Sequence, residues 1–315
     1  MGKTIRADVP SGSDDEMPDR QRPFPRVRTF ARRGDRMGQT LEKTFEKFKD
    51  AYLLDVKRGA GPTMVAEGER LDPRVVFGRE APLIVEVGCG NGEQITHAAA
   101  LHPENNYLGF EVWLPGVAKI VSSAVRNYDG LPNLKVVDVD ALQALPILLE
   151  SATVHEMWTF FADPWPKTRH HKRRLVAPEF AAIVADLLED GGRWRLATDW
   201  DDYAWQQRDV VESTLGLSNP HGGQRPDAND PQGQRGGFAP RFDERVVTAF
   251  ERRAAREGRG VHDLCVVRLA RGSAAEREQT ASFQVTARLG RVSETEKPAE
   301  SGFVPREPWY GADEA

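Results

Sequence analysis

Apolar runs and helical spacing alternate along the middle of the chain, between about residues 70 and 271. The apolar runs predict strands at 83–88, 106–112, 134–140, 154–163 and 193–199. The intervening stretches predict helices at 93–101, 114–128, 141–149, 178–188 and 203–215. Near-continuous apolar strands separated by helices are typical of a parallel sheet covered on both faces. We therefore predict an α/β fold with a doubly wound, mostly parallel sheet.

Further segments complete a predicted domain over residues 37–271. The run 261–269 predicts an antiparallel last strand, which closes the sheet as part of a hairpin-like pair and brings the total to seven strands. Residues 219–240 are rich in Gly, Pro, Asn and Gln, which predicts a long loop. Near the start, residues 37–48 have apolar positions at helical spacing, so we expect a short amphipathic helix there.

The two ends of the chain have a different composition. Residues 1–19 are acidic and contain no aromatic residue, so they are predicted to be disordered. Residues 20–36 form an arm with seven arginines against a single acid, Asp35. Residues 272–315 are rich in Ser, Glu and Pro and lack periodicity, which predicts a disordered tail. A docking segment around Phe303 and Trp309-Tyr310 is the alternative for its end.

The charge total conceals two cationic segments. With 43 Lys+Arg against 48 Asp+Glu the net charge is −5, which taken alone argues against a nucleic-acid partner. However, the arm 20–36 contributes +6 and residues 167–174 contribute +5, so the remaining residues carry −16. Total charge therefore does not exclude RNA as a partner.

Cysteine content and hydropathy limit the cellular context. Cys89 and Cys265 have no paired spacing, so we expect neither a disulfide framework nor a zinc knuckle, and a reduced, cytoplasmic setting. No apolar run approaches the ~20 residues that cross a membrane, so no membrane partner is expected.

A glycine-rich turn, Gly88-Cys89-Gly90-Asn91-Gly92, follows the first predicted strand. Glycines allow a tight turn and close approach of a ligand, although an ordinary turn has the same pattern. A dinucleotide site would have glycine where Glu93 stands, and that carboxylate would repel a pyrophosphate. Glu86, two residues before the first glycine, instead suits a positively charged ligand. This favours S-adenosylmethionine over NAD.

Carboxylates also end the next two predicted strands. Glu111 lies 19 residues after Gly92, where an acid accepts hydrogen bonds from both ribose hydroxyls. Its alternative role is to cap the helix that starts near Leu114. Asp138 and Asp140 end the third predicted strand and face the same side, so either could hold the adenine amino group. We favour Asp140 because it stands at the start of a helix.

The fourth strand leads into a rigid turn and a basic octet, residues 167–174. Prolines on both sides of Trp165 restrict the backbone and fix Asp163 and Lys167 in place. The octet holds five cations, for which a phosphate backbone is the natural partner. A solvated charged surface is the alternative. Its two histidines have no further ligands at suitable spacing, so no metal is expected.

Two later positions carry candidate polar groups. Asp199 ends the fifth predicted strand at the same edge of the sheet. Thr248 and Glu251 are three residues apart, so they would either share a helix face at the site or form a capping box.

Together these motifs resemble the bacterial tRNA (guanine-N7)-methyltransferase family, over roughly residues 28–270. The motifs that carry the resemblance are RTFARRGDRMG (28–38), EVGCGNG (86–92), YLGFEVW (107–113), FFADPWPKTRHHKRR (160–174), ATDW (197–200) and TAFERR (248–253). The glycine motif is common to methyltransferases, whereas DPWPK with the basic octet is more specific. Ala162 and His171 depart from the proline and asparagine common in the family.

The resemblance implies a Rossmann-like methyltransferase fold, S-adenosylmethionine as cofactor and tRNA as partner. The implied reaction is methyl transfer to N7 of guanine 46 in the variable loop. Implied cofactor-binding residues, together with the glycine turn, are Glu86, Gly88, Gly90, Gly92, Glu111, Asp140 and Asp163, the last also catalytic. Implied substrate-binding residues are Lys167, Asp199, Thr248, Ala249, Phe250 and Glu251. Implied RNA contacts are Arg169, His170, His171, Lys172, Arg173 and Arg174.

Two rival functions are compatible with parts of this pattern. A methyltransferase acting on protein or a small metabolite explains the glycine turn and Glu111 but leaves the basic octet without a role. A non-catalytic RNA-binding module explains the octet, but the presence of Glu86, Glu111 and Asp163 disfavours it.

Overall fold

A single sheet of seven strands organises the part of the chain that the computed structural model describes, residues 28–31, 34–233 and 235–295. The strands are β1 Leu83–Val87, β2 Asn106–Phe110, β3 Leu134–Val137, β4 Val154–Phe160, β5 Leu188–Thr198, β6 Leu217–Ser218 and β7 His262–Arg268. Their order is β3-β2-β1-β4-β5-β7-β6. β1 to β5 are parallel, and β7 is antiparallel to both β5 and β6. The predicted mostly parallel sheet with an antiparallel last strand is confirmed.

Helices connect these strands. They are α1 Gln39–Tyr52, α2 Pro73–Phe77, α3 Glu93–Leu101, α4 Leu114–Tyr128, α5 Ala141–Leu148, α6 Pro178–Leu187, α7 Asp201–Glu212, α8 Ala249–Arg256 and α9 Ala274–Thr295. The predicted bounds of α3 and α4 agree with the structure. The short helix α2 was not predicted, because so few residues carry no clear period. β6 was predicted only as the partner of the last strand, without a position, and α8 only as a helix around Thr248 and Glu251, without bounds.

Both faces of the sheet are buried, which explains the near-continuous apolar strands. On one face, Val85 packs with Leu145 of α5 and Phe180 of α6. On the other face, Ile84 packs with residues of α3 and α4, including Ile120. Adjacent residues of β1 thus serve opposite layers, as the two-residue period of a strand requires.

The segment after α1 covers the outer edge of β3. Leu54 donates its backbone N–H to the Val136 carbonyl at 2.9 Å, and Leu53 forms an isolated parallel bridge with Val136. The Tyr52 hydroxyl accepts a hydrogen bond from the Leu131 N–H at 3.0 Å. These contacts satisfy the edge of a strand that would otherwise present unpaired backbone groups.

The structure differs from the expected disordered tail, since α9 spans Ala274–Thr295. Gln279 anchors this helix to the sheet: its amide donates to the Leu217 carbonyl at 2.7 Å and its carbonyl accepts from the Gly216 N–H at 2.7 Å. Arg268 also pairs with Glu276 at 2.8 Å. Polar tertiary contacts of this kind leave no apolar period in the sequence. The segments 1–19 and 296–315, with Phe303 and Trp309-Tyr310, lie outside the described residues.

The order of the strands reverses between β1 and β4, which creates a topological switch point. In such sheets the ligand binds beyond the carboxyl ends of the strands at this point. α4 lies against the turn after β1 so closely that a Cβ added to Gly116 would be 2.4 Å from the Gly90 carbonyl oxygen. Gly116 therefore sets the distance between α4 and the glycine turn.

We predict that Gly116→Ala destabilises the protein by about 1–2 kcal/mol, because overpacking against backbone outweighs the higher helix propensity of alanine. Chemical denaturation measures the free energy of unfolding. Gly260→Ala is the matched control, since Gly260 has no atom within 4 Å of an added Cβ and a backbone that alanine tolerates. A stability gain in Gly116→Ala would contradict this account of the packing.

Candidate active site

A cavity opens at the carboxyl ends of β1, β2 and β4. Its walls come from the glycine turn, the residues after β2, β3 and β4, residues 29–31 of the arm, and the start of α8. The sequence predicted the strand ends, whereas the contribution of residues 29–31 was not predicted.

The glycine turn requires glycine for both conformational and steric reasons. Gly88, Gly90 and Gly92 all have positive φ, at 79°, 56° and 76°. Side chains disfavour this left-handed region. At Gly92 a Cβ would also lie 2.4 Å from Cγ1 of Ile120. Backbone groups of this turn therefore border the cavity directly, as a close-approaching ligand needs.

Glu86 is the most unusual titratable group in the cavity. Its side chain is 4% exposed, and its Oε2 atom has no hydrogen-bond partner in the structure. Burial, and secondarily the charge of Glu111, raises the pKa of Glu86 to about 8. A buried carboxylate without a partner is costly, and a cationic ligand would compensate that cost. S-adenosylmethionine carries an ammonium and a sulfonium group, so these residues fit that cofactor.

Backbone N–H groups hold Glu111 at the mouth of the glycine turn. Its Oε2 accepts from the Gly90 N–H at 2.6 Å and its Oε1 accepts from the Trp113 N–H at 2.8 Å. Trp113 is the residue immediately before α4, so the capping alternative is partly realised. The same carboxylate lines the cavity, where a ribose could bind it.

The tertiary structure separates Asp138 from Asp140. Asp138 forms a salt bridge with Arg58. Asp140 lines the cavity and caps α5, accepting a hydrogen bond from the Leu142 N–H at 3.1 Å. These positions support the choice of Asp140 as the adenine contact, which stays a prediction.

Asp163 lines the same cavity as Glu86 and Glu111. Its Oδ2 accepts a hydrogen bond from the backbone N–H of Ala31 at 3.0 Å. Nearby, the Trp165 indole donates to the Thr29 carbonyl at 3.0 Å. The rigid turn therefore fixes Asp163 and also docks the arm against the cavity.

The basic octet divides into exposed cations and packed arginines. Arg174 is 2% exposed and binds Asp202 at 2.6 Å, Gln206 at 2.7 Å and the Pro164 carbonyl at 2.8 Å. Arg174 was predicted to contact RNA, but the structure contradicts this prediction because the side chain is buried and its N–H groups bind partners within the protein. Arg173 stacks on Trp165 with its guanidinium 3.6 Å from the ring centroid.

Three cations of the octet remain exposed, namely Lys167, Arg169 and Lys172. They lie on or next to the 3-10 helix Thr168–Arg173, directly after the Asp163 turn. The pKa of His170 is lowered by desolvation and by its cationic neighbours, and the pKa of His171 by desolvation and Arg174. Both histidines are thus biased towards the neutral form.

The remaining predicted substrate positions lie on or near α8, except Asp199. The Thr248 hydroxyl caps α8, accepting from the Glu251 N–H at 3.4 Å. Glu251 does not return the hydrogen bond of a capping box but binds Arg241 and Arg245. Thr248 and Phe250 line the cavity. Asp199 accepts two hydrogen bonds from Arg259, at 2.9 and 2.7 Å, and is not among the cavity-lining residues.

Glu93 has a role that the sequence did not indicate. Its carboxylate accepts from the Ala249 N–H at 2.8 Å and pairs with Arg252 at 2.8 Å. It therefore ties the start of α8 to the start of α3, next to the glycine turn. An acid at this position excludes a pyrophosphate and also holds α8 over the cavity.

Two kinds of feature are absent from the described residues. Over that part of the chain, His, Cys, Asp and Glu form no group of three or more suited to a metal ion. None of the helices described has the length and apolar character needed to span a bilayer.

The known proteins that this chain resembles are methyltransferases. A family model described as a putative methyltransferase matches residues 80–264. The tRNA (guanine-N(7)-)-methyltransferase of Cutibacterium acnes is 43% identical over 238 residues, covering 76% of this chain and 82% of the relative. The same-named protein of an Arthrobacter species is 38% identical, covering 76% of this chain and 86% of its own. That of Hydrogenovibrio crunogenus is 34% identical, covering 84% of this chain and its own full length.

The similarity to these relatives extends over most of both chains, and the family model spans the glycine turn, the strand ends and the start of α8 at the cavity. The chain belongs to the tRNA (guanine-N7)-methyltransferase family.

Proposed function

We propose that this chain transfers a methyl group from S-adenosylmethionine to N7 of guanine 46 in the variable loop of tRNA. The observation that carries the proposal is one cavity containing Glu86, a buried carboxylate with an unpartnered oxygen, and Asp163. S-adenosylmethionine is the cofactor. The names of the relatives support tRNA as the substrate and guanine N7 as the acceptor. The cytoplasmic location stays a prediction.

The cofactor's place follows from the carboxylates along the sheet edge. Glu86 would neutralise a positive group of the cofactor, Glu111 would accept hydrogen bonds from the ribose hydroxyls, and Asp140 would contact the adenine. When bound, S-adenosylmethionine supplies its methyl group to N7: the N7 lone pair forms the new bond while the electrons of the broken C–S bond stay on sulfur.

The protein itself needs to contribute little to the chemistry of this methyl transfer. N7 carries a lone pair but no proton in guanine, so a general base is not required. Alignment of the acceptor and negative potential near the new positive charge are sufficient. Asp163 supplies such a charge in the cavity. Asp199 stays a predicted substrate-binding residue, and its pairing with Arg259 would hold its carboxylate at the rim.

The exposed cations give the RNA a place beside the cavity. Lys167, Arg169 and Lys172 directly follow the Asp163 turn and have no acid within the octet. Phosphates of the tRNA backbone would neutralise them while one base enters the cavity. Arg173 and Arg174 shape this surface by holding the turn and the arm.

Methylation of bulk tRNA with labelled S-adenosylmethionine tests the proposed function. We expect the label in 7-methylguanine, which is cationic and labile to base. Mapping of the labelled tRNA then tests the assignment to guanine 46. Label in protein, or no transfer at all, would overturn the proposal and favour one of the rival functions.

We expect Asp163→Ala to lower the single-turnover rate of methyl transfer by about 10²-fold, the scale of losing one preorganised electrostatic group. Asp163→Asn should show a similar loss, because it keeps the shape and removes the charge. Asp50→Asn, on the exposed face of α1, is the control. Near-normal rates in both Asp163 variants would refute a catalytic role.

Cofactor affinity should rise about tenfold per pH unit between pH 6 and 7.5. In this range the Glu86 carboxyl, with its pKa of about 8, is mostly protonated in the free protein, and a cationic ligand binds the deprotonated form. Titration calorimetry should therefore detect release of about one proton. Glu86→Gln should flatten the pH dependence, and an unchanged slope in that variant would assign the proton to another group.

The exposed octet cations should account for part of the salt dependence of tRNA binding. Removing two phosphate contacts with Arg169→Ala and Lys172→Ala should reduce the slope of log affinity against log salt by about 1.5. The control pair is Arg74→Ala with Arg277→Ala, which are exposed on α2 and α9 and do not line the cavity. Equal slopes for both pairs, measured by filter binding, would contradict the predicted RNA path.

A further inference from the structure

Two phenylalanine rings face each other at the cavity. Phe161 directly follows β4, and Phe250 is the second residue of α8. Their ring centroids are 6.4 Å apart and their planes differ by only 13°. Both side chains line the cavity that also contains Asp163. The family resemblance implied a substrate role for Phe250, but nothing in the sequence pointed to Phe161.

The Phe161 ring is held in place by its backbone and its surroundings. Its φ of 54° lies in the left-handed region, which is rare and strained for an aromatic residue. Its N–H donates to the Ala197 carbonyl at 2.7 Å, which anchors the turn to β5. Strain of this kind persists where the surrounding structure fixes the conformation, and it concentrates at functional sites.

A buried arginine lies near the Phe161 ring, and its charge is balanced. The Arg245 guanidinium is 5.4 Å from the ring centroid. It binds Glu251 at 2.7 Å and Asp263 at 3.0 Å, so two carboxylates offset its charge. Arg245 thus supports the ring without placing an unbalanced positive charge at the cavity.

Phe250 is the more adjustable of the two rings. It is 39% exposed and lies on a helix of eight residues at the rim of the cavity. The rings are nearly parallel, and their centroid separation lies within the range of aromatic rings in contact. A base would therefore enter between them by displacing Phe250, the exposed ring, away from Phe161.

We propose that the target guanine lies between Phe161 and Phe250, and that the two ring faces stabilise the positive charge that develops on the base. This inference rests on the proposed function. The new N7–methyl bond uses the N7 lone pair, the C–S bonding electrons stay on sulfur, and no proton moves, so the base gains one positive charge. Aromatic faces carry negative potential and attract cations. The pair therefore binds the methylated base more strongly than the neutral one.

The test is a series of fluorinated phenylalanines at position 250, which weaken the negative potential of the ring with little change in size. Single-turnover methylation of tRNA at saturating S-adenosylmethionine should fall stepwise with each fluorine, by about tenfold in total. Phe250→Leu should fall by about the same factor with an unchanged affinity for the cofactor. Phe77→Leu, at α2 away from the cavity, is the matched aromatic control and should keep its rate.

Binding of tRNA gives a second measurement that does not depend on turnover. The wild-type protein should bind N7-methylated tRNA roughly 5- to 30-fold more tightly than unmethylated tRNA, and Phe250→Leu should lose this preference. Phe161→Leu should behave in the same way. If that variant loses its folded structure in a thermal melt, the Phe250 series alone decides.

The outcomes separate the inference from the proposed function. If the wild-type protein methylates guanine N7 but the fluorine series is flat and both tRNAs bind equally, the aromatic pair has no such role. Equal weakening of both tRNAs by Phe250→Leu would mean stacking without charge selection and would also overturn the inference. If the wild-type protein forms no 7-methylguanine, the proposed function fails and the inference falls with it.

Discussion

A carboxyl group buried at the carboxyl edge of the sheet is the constraint around which this site is organised. Glu86 lies on β1 in the centre of the sheet with one oxygen lacking a partner. Its pKa of about 8 expresses the cost of placing a carboxylate there in the absence of a cation. A structure that retains such a group is adapted to a positively charged ligand, and the surrounding elements leave room for one.

The neighbouring acids have different partners at the cavity wall and further from it. Backbone N–H groups hold Glu111, Asp140 and Asp163 at the cavity wall. Arginines hold acids further out, as in the Asp138–Arg58 and Asp199–Arg259 pairs. A backbone N–H group orients a carboxylate without adding a full positive charge. The inner carboxylates therefore keep a negative field that suits both a cationic cofactor and a base that becomes cationic.

Segments far apart in sequence close the cavity around this field. Glu93 ties α8 to α3, Asp163 accepts the Ala31 N–H, and Trp165 holds the Thr29 carbonyl. The basic octet contributes both to the protein interior and to its surface, because Arg174 is buried whereas Lys167 is exposed to solvent. A cluster that looks uniform in sequence thus has two separate physical roles.

The sequence by itself determined the layered fold, the strand-end position of the site and the carboxylates that mark it. Apolar periodicity is a local property that locates the strands, and ligands of such sheets bind beyond the carboxyl ends of the strands. The positions of Glu86, Glu111 and Asp163 near the site were therefore predictable. Only the tertiary structure showed that Asp138 pairs with Arg58 while Asp140 lines the cavity. It also showed that Arg174 is buried, that Phe161 lies beside Phe250, and that residues 274–295 form α9. Those outcomes depend on partners distant along the chain, whose contacts leave no period in the local sequence.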